Sequence, residues 1–166
     1  MAIGLEGVLS LARVARVRPP AHFVFAQHIP TTGITFQGGT TSRATVLEAF
    51  DTIFNKRDYD AAERFWSPSY VQHSAHIAPG RAGLFNLIRS IPPTLKYEHE
   101  QILAEGELVM VHGRCSGFGA TKNWIAADIV RVVDGVLVEH WDVIEDEASE
   151  AESKSGRPMF GDRFPG

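Results

Sequence analysis

The sequence predicts an α+β domain in which three helices come first and a curved, mainly antiparallel sheet follows. Apolar residues recur at helical spacing as far as Ile91, the period changes to two from Leu95 onward, and the βα alternation of a parallel sheet is absent.

The first helix is read from Val46, Leu47, Phe50, Ile53 and Phe54, which share one helical face after the helix-starting cluster Thr40-Thr41-Ser42. Asn55 to Asp58 interrupts that pattern. Ala61, Ala62, Phe65 and Trp66 then define a short second helix that Pro68 stops, so the two form a hairpin. Tyr70 to His73 reads as extended and Ala78-Pro79-Gly80 as a turn. Leu84, Phe85, Leu87, Ile88 and Ile91 form the buried stripe of a third helix that Pro92-Pro93 ends. Strand segments follow near 95–104, 108–116, 124–133 and 136–144, joined by Glu105-Gly106, a Gly117 to Asn123 loop and Asp134-Gly135. Consecutive strands linked this way make an antiparallel meander, and a curved sheet wrapped round three helices encloses a pocket.

With 166 residues, 44% of them apolar, the chain is long enough for one real core. The domain is placed at residues 43–146, with an extension or linker at 1–42 and a tail at 147–166. Met1 to Pro20 carries Arg13, Arg16 and Arg18 with a single acid, Glu6. Such a stretch suits a targeting segment or an untidy extension, and no clean hydrophobic block decides between them. The acidic run Glu145 to Glu152 reads as a solvated face or helix end. Sixteen basic and twenty acidic residues give a net charge of −4, without the basic, aromatic-interleaved patch a nucleic-acid partner requires. No stretch approaches the roughly 18–20 apolar residues of a membrane span. Cys115 is the only cysteine, so no internal disulfide or cysteine-rich zinc site is possible, and a cytoplasmic location is expected.

The hairpin Asp128 to Asp142 places the chemistry, and it can be registered two ways. A two-residue Asp134-Gly135 loop pairs Val133 with Val136 and sets Asp128 opposite Trp141. A three-residue loop with Gly135 as a bulge residue pairs Val132 with Val136 and sets Asp128 opposite His140. The second is preferred, because it gathers Val130, Val132, Val136 and Val138 on one face with Asp128, His140 and Asp142 at its polar end. Arg131 and Glu139 then neighbour each other on the opposite face. Two carboxylates and an imidazole on adjacent strands can form an acid/base centre, since apolar surroundings and a neighbouring imidazole act oppositely on a carboxyl's proton affinity. The simpler alternative is a hydrogen-bonded pair inside a binding cup. The Tyr70 to Gly80 segment adds an aromatic hydroxyl with His73 and His76. His112 shares a strand face with Met110 and Arg114, and Trp66, Trp124 and Trp141 are further candidates for a pocket lining. A metal site built from His73, His112 and His140 is conceivable but not expected.

The run from Asp128 to Val143, preceded by Asn123-Trp-Ile-Ala-Ala127 and by Tyr70-Val-Gln-His73, resembles the SnoaL-like family, the polyketide cyclase branch of the NTF2-like superfamily. The resemblance covers residues 43–160 and implies an NTF2-like cone. It also implies an aspartate on the penultimate strand, here Asp128, as general acid/base in an intramolecular aldol condensation that uses neither metal nor organic cofactor. A histidine on the preceding strand assists it, and His112 is the nearest match. On this reading Asp128 takes a proton from a carbonyl-activated carbon of a small apolar or aromatic substrate. Tyr70, His73 or His112 steadies the enolate oxygen, and His140 and Asp142 orient the base. Trp66, Tyr70, His73, His76, Trp124 and Asp142 are the substrate-binding set. Two rivals stay open: an epoxide or ester hydrolase in which Asp128 or Asp142 activates water, and a noncatalytic binding domain. Ile129, Leu137 and Trp141 on the outer sheet face suggest a homodimer.

Overall fold

A computed structural model describes residues 37–165, with side chains from residue 41 onward; most of the expected extension lies outside the described residues. The first helix, α1 (Gln37–Phe50), begins earlier than its cap-like residues suggest, so Thr40, Thr41 and Ser42 lie inside it. Thr45 bonds back to the Thr41 carbonyl at 3.0 Å, which satisfies a hydroxyl without ending the helix. Val46, Ala49, Phe50 and Ile53 are buried, the last of them in a wider π-helical turn, Asp51–Asn55, that continues α1.

Arg57 takes a positive φ of 55° and turns the chain. Its guanidinium meets the carbonyls of Ile88 at 2.7 Å and Ile91 at 3.0 Å, satisfying the C-terminal end of the third helix. Asp58 caps the short α2 (Tyr59–Ala62) through the Ala61 amide, and a 3₁₀ turn follows at Glu63–Phe65. Trp66 does not prolong the helix: it opens β1 (Trp66–Gln72), which accommodates Pro68. The third helix, α3 (Gly80–Ser90), buries Leu84, Phe85 and Ile88, as their spacing requires.

The meander is β2 (Lys96–Glu105), β3 (Leu108–Ser116), β4 (Trp124–Val133) and β5 (Val136–Asp146). The sheet order is β1-β5-β4-β3-β2, with β1 alone running parallel to its neighbour β5. Helices and strands together form the α+β arrangement expected, with three α-helices packed on a curved, open five-stranded sheet. The core lies between the helices and the inner sheet face, where Val109, Val111, Val130 and Leu137 are fully buried.

Neither expected hairpin register runs the length of β4 and β5. The turn is the two-residue one, with Asp134 at φ 50° and Gly135 at φ 77°, and Val133 opposite Val136. That overturns the preferred three-residue loop. Past it the ladder slips by one residue between Val132↔Leu137 and Arg131↔Glu139, leaving Val138 as a β-bulge. Beyond the bulge Asp128 stands opposite Asp142, and Val130 opposite His140. Inserting one residue reverses the faces on its turn side, so Leu137 is buried inward and cannot contribute to an outer-face contact.

The outer face carries exposed Leu103, Leu108, Met110 and Val143. Arg131 pairs there with Glu139 at 3.0 Å, as anticipated. The C-terminal tail covers another part of that face. Phe160 is buried against His112 and under the Arg114 guanidinium, with centroid distances of 5.5 and 4.9 Å. Glu147, expected to be solvated, is buried and bonds Asn123 at 2.7 Å.

Candidate active site

Between the helices and the inner face of the sheet lies a mostly apolar cavity in which about 90 Å³ is open to the centre of a water molecule. Phe50, Phe54, Leu84, Ile88 and Leu95 form much of its wall, while Ile77, Phe118 and Trp124 contribute from β4 and the flanking loops. The polar groups gather on one side: Asp128 from β4, His140 and Asp142 from β5, Tyr70 and Gln72 from β1, and Tyr97 from β2.

Alternation explains the gathering. Residues 126, 128, 130 and 132 of β4 face inward, and His140 and Asp142 follow the bulge with the same orientation. Asp128 and His140 are both buried, and their Oδ1 and Nε2 atoms are 3.1 Å apart. The other carboxylate oxygen of Asp128 accepts the Tyr97 hydroxyl at 2.7 Å. His140 Nδ1 lies 2.8 Å from Gln72 Oε1, a contact set by the parallel pairing of Gln72 with His140. Asp142 is half-buried and lines the same cavity, and its carboxylate has no hydrogen-bond or ion-pair partner among the described residues. Asp128, His140 and Asp142 each present one ligand atom within 4.8 Å of the others, close enough to share a small cation as well as a proton.

Tyr97 is held from behind. Asn55 accepts its backbone N–H at 2.9 Å and donates to its carbonyl at 3.1 Å, while its ring stacks on Phe54 and meets Phe50 edge-on. Burial pushes the Tyr97 phenol well above its ordinary pKa, and the Asp128 charge adds to that. Tyr70 is raised too, first by burial and then by the charges of Asp128 and Asp142. Both phenols are therefore hydrogen-bond donors at neutral pH. The Trp66 Nε1 and Gln72 Nε2 groups are buried without a partner among the described residues. Both lie near enough to the Tyr70 hydroxyl to oppose its upward shift, yet short of hydrogen-bond geometry. Cys115, also at the cavity, has its thiol pushed up to about 12 by burial, then by Asp128 and Asp142.

The structure brings Asp128, His140, Asp142, Tyr70, His76 and Trp124 to the cavity, with His76 at its mouth against the Trp124 ring. It does not bring His112, His73 or Trp66 there. His112 alternates with the inward Val111 and Gly113, so it lies on the outer face, bonded to Gln101 at 2.6 Å. His73 is exposed and stacked on Trp141, 2.9 Å from Glu139. Trp66 packs in the core against Phe85, behind the cavity wall. The residues missed by sequence reading are Tyr97, Gln72, Cys115 and Phe118. For Tyr97 a signal was present in Gly113, a mid-strand glycine whose missing side chain leaves room for the tyrosine ring.

The profile of the SnoaL-like domain family matches residues 46–140, more than half of the chain. No functionally curated protein matches the sequence. Among solved structures the chain is similar to AclR of Streptomyces galilaeus, a proposed hydroxylase. Identity there is 26% and the TM-score 0.53, covering 64% of this chain and 80% of that one. A proposed ketosteroid isomerase from Kribbella flavida shares the fold at 17% identity and TM-score 0.59, over 76% of this chain and 97% of that one. So does a proposed polyketide cyclase from Bacillus cereus, at 21% identity and TM-score 0.55, over 64% and 75%.

Proposed function

The chain belongs to the SnoaL-like domain family, and from that premise we propose that it is a small-molecule enzyme performing acid/base chemistry on a carbon activated by an adjacent carbonyl. The reaction class is an aldol-type cyclisation or an isomerisation. One observation carries this reading: a buried carboxylate, Asp128, bound by the Tyr97 hydroxyl and His140, sits beside a second carboxylate in a cavity that is otherwise apolar and aromatic. An apolar wall suits a flat, carbonyl-bearing substrate, and removal of water strengthens every electrostatic interaction the polar cluster makes with it.

The Asp128, His140 and Asp142 cluster is the acid/base centre. Tyr70 is the donor for the developing enolate oxygen, since it is protonated at neutral pH and lines the same cavity. His73 and His112, the other two donors considered, face away from it. Trp124, Phe118 and His76 flank the entrance and hold the substrate's plane. No step in this scheme calls for a metal or an organic cofactor.

A thermal-shift screen of wild type and Asp128→Asn against aromatic polyketides and β-dicarbonyls, with mass spectrometry of each hit, tests the proposal. The expected result is a ligand consumed by wild type, with EDTA present, and turned over about 10² to 10⁴-fold more slowly by the variant. Ligands bound equally by both proteins and converted by neither would make this a binding domain.

A further inference from the structure

We infer that the two carboxylates divide the work: Asp142 is the base that takes the carbon-bound proton, and Asp128, engaged by His140 and Tyr97, is a positioning residue of the polar wall. This rests on the acid/base reading above and assigns its parts.

The inference follows from where protons must be. The Ser74 backbone N–H can only donate, and it lies 3.1 Å from Gln72 Oε1, which fixes the orientation of that amide. His140 Nδ1 is 2.8 Å from the same oxygen and must therefore carry a hydrogen. Across the ring, Nε2 is 3.1 Å from Asp128 Oδ1. Were both of those atoms bare, two lone pairs would face each other in a buried site. A proton lies between them, and the pair holds it whether it resides on nitrogen or on oxygen. The remaining oxygen of Asp128 is already occupied by the Tyr97 hydroxyl at 2.7 Å. Both oxygens of Asp128 are thus already engaged in hydrogen bonds, each with one lone pair left, whereas the Asp142 oxygens are engaged in none.

Asp142 differs in each respect. It faces Asp128 across the ladder, and its carboxylate lines the cavity with no hydrogen-bond or ion-pair partner among the described residues. The Asp128–His140 pair with its single proton is neutral overall, so it places no net charge beside the Asp142 carboxylate. Its lone pairs are the ones available to a substrate carbon. Gln72 is a positioning residue here, because it holds His140 in the ring form that keeps the shared proton on the Asp128 side.

The proton count balances. A C–H bond next to the substrate carbonyl breaks, its proton goes to an Asp142 oxygen, and its electron pair forms the enolate. The enolate oxygen accepts a hydrogen bond from the Tyr70 hydroxyl, and the proton between Asp128 and His140 stays where it is. Reversal returns that one proton, and in D₂O, after Asp142 exchanges with solvent, it leaves deuterium on carbon without any co-reactant.

The test uses acetophenone and 1-tetralone as probes, following α-deuteration in D₂O by proton NMR, with the His140 ring nitrogens observed in ¹⁵N-labelled protein. Wild type is expected to accelerate exchange, and Asp142→Asn to lower it by at least about 10²-fold. The Nδ1–H signal of His140 should persist in Asp142→Asn and be lost or shifted in Gln72→Leu. Asp142→Asn exchanging at the wild-type rate while Asp128→Asn is inactive would overturn the division and leave the acid/base reading standing. A His140 ring bare at Nδ1 would also overturn it. Wild type exchanging neither ketone would defeat the acid/base reading and this assignment together.

Discussion

The Tyr97 ring lies over Gly113, and its hydroxyl reaches past that glycine, across the whole width of β3, to donate to Asp128 on β4 at 2.7 Å. A side chain at 113 would run into the ring. Gly113→Ala is therefore expected to cost about 1–3 kcal/mol in urea unfolding, as overpacking does, and to lower activity by displacing the hydroxyl from Asp128. Tyr97→Phe keeps the ring and loses only the bond, at about 1.5–3 kcal/mol for a bond to a charged group. The double variant should lose less activity than the product of the two single effects, because both act through one contact. Full additivity would contradict that coupling.

The outer-face histidines and the cavity tyrosine should behave oppositely. His73→Ala and His112→Ala are expected to leave turnover within about twofold, since loss of a group that touches no reacting atom removes no transition-state stabilisation. Tyr70→Phe should cost on the order of 10- to 10³-fold if its hydroxyl steadies the enolate. Steady-state kinetics on the first converted ligand decides it, and a large loss in His112→Ala alone would restore that residue to the chemistry.

Cys115 gives the fold an alkaline weakness. In the unfolded chain its thiol ionises near its ordinary value of 9.0, whereas the folded thiol holds its proton up to about 12. Between those values the unfolded state binds fewer protons, so this group's contribution is full below pH 9 and declines as pH rises. The slope is at most about 1.4 kcal/mol per pH unit. Urea midpoints measured from pH 8 to 10.5 should fall less steeply in Cys115→Ala than in wild type. Identical slopes would show that the thiol is not held protonated by the fold.

Much of the sheet was legible because strand residues alternate and turns are marked by Asp-Gly and Glu-Gly pairs. Strands β3 and β4 occupy the spans their periodicity predicts. The gathering of Asp128, His140 and Asp142 on one face was legible for the same reason. The bulge at Val138 was not, since a run of valines and leucine reads equally well in any register, and so Leu137 was assigned to the wrong side. His112 was grouped on one strand face with Met110 and Arg114, and nothing local showed that this face points outward. Tyr97 escaped because its partner is 31 residues away on a non-adjacent strand, beyond the reach of local periodicity. Gln72 sits next to the residue that drew attention, His73, and only the parallel pairing of β1 with β5 shows which of the two faces inward.

The most direct measurement is turnover of a converted ligand in D₂O enriched in H₂¹⁸O, with isotopes located in the product by mass spectrometry and NMR. Deuterium on the carbon next to the carbonyl, with no ¹⁸O incorporated, is the result expected of an acid/base centre acting on carbon. Oxygen-18 in the product with no deuterium on carbon would contradict it and make the carboxylates a water-activating pair.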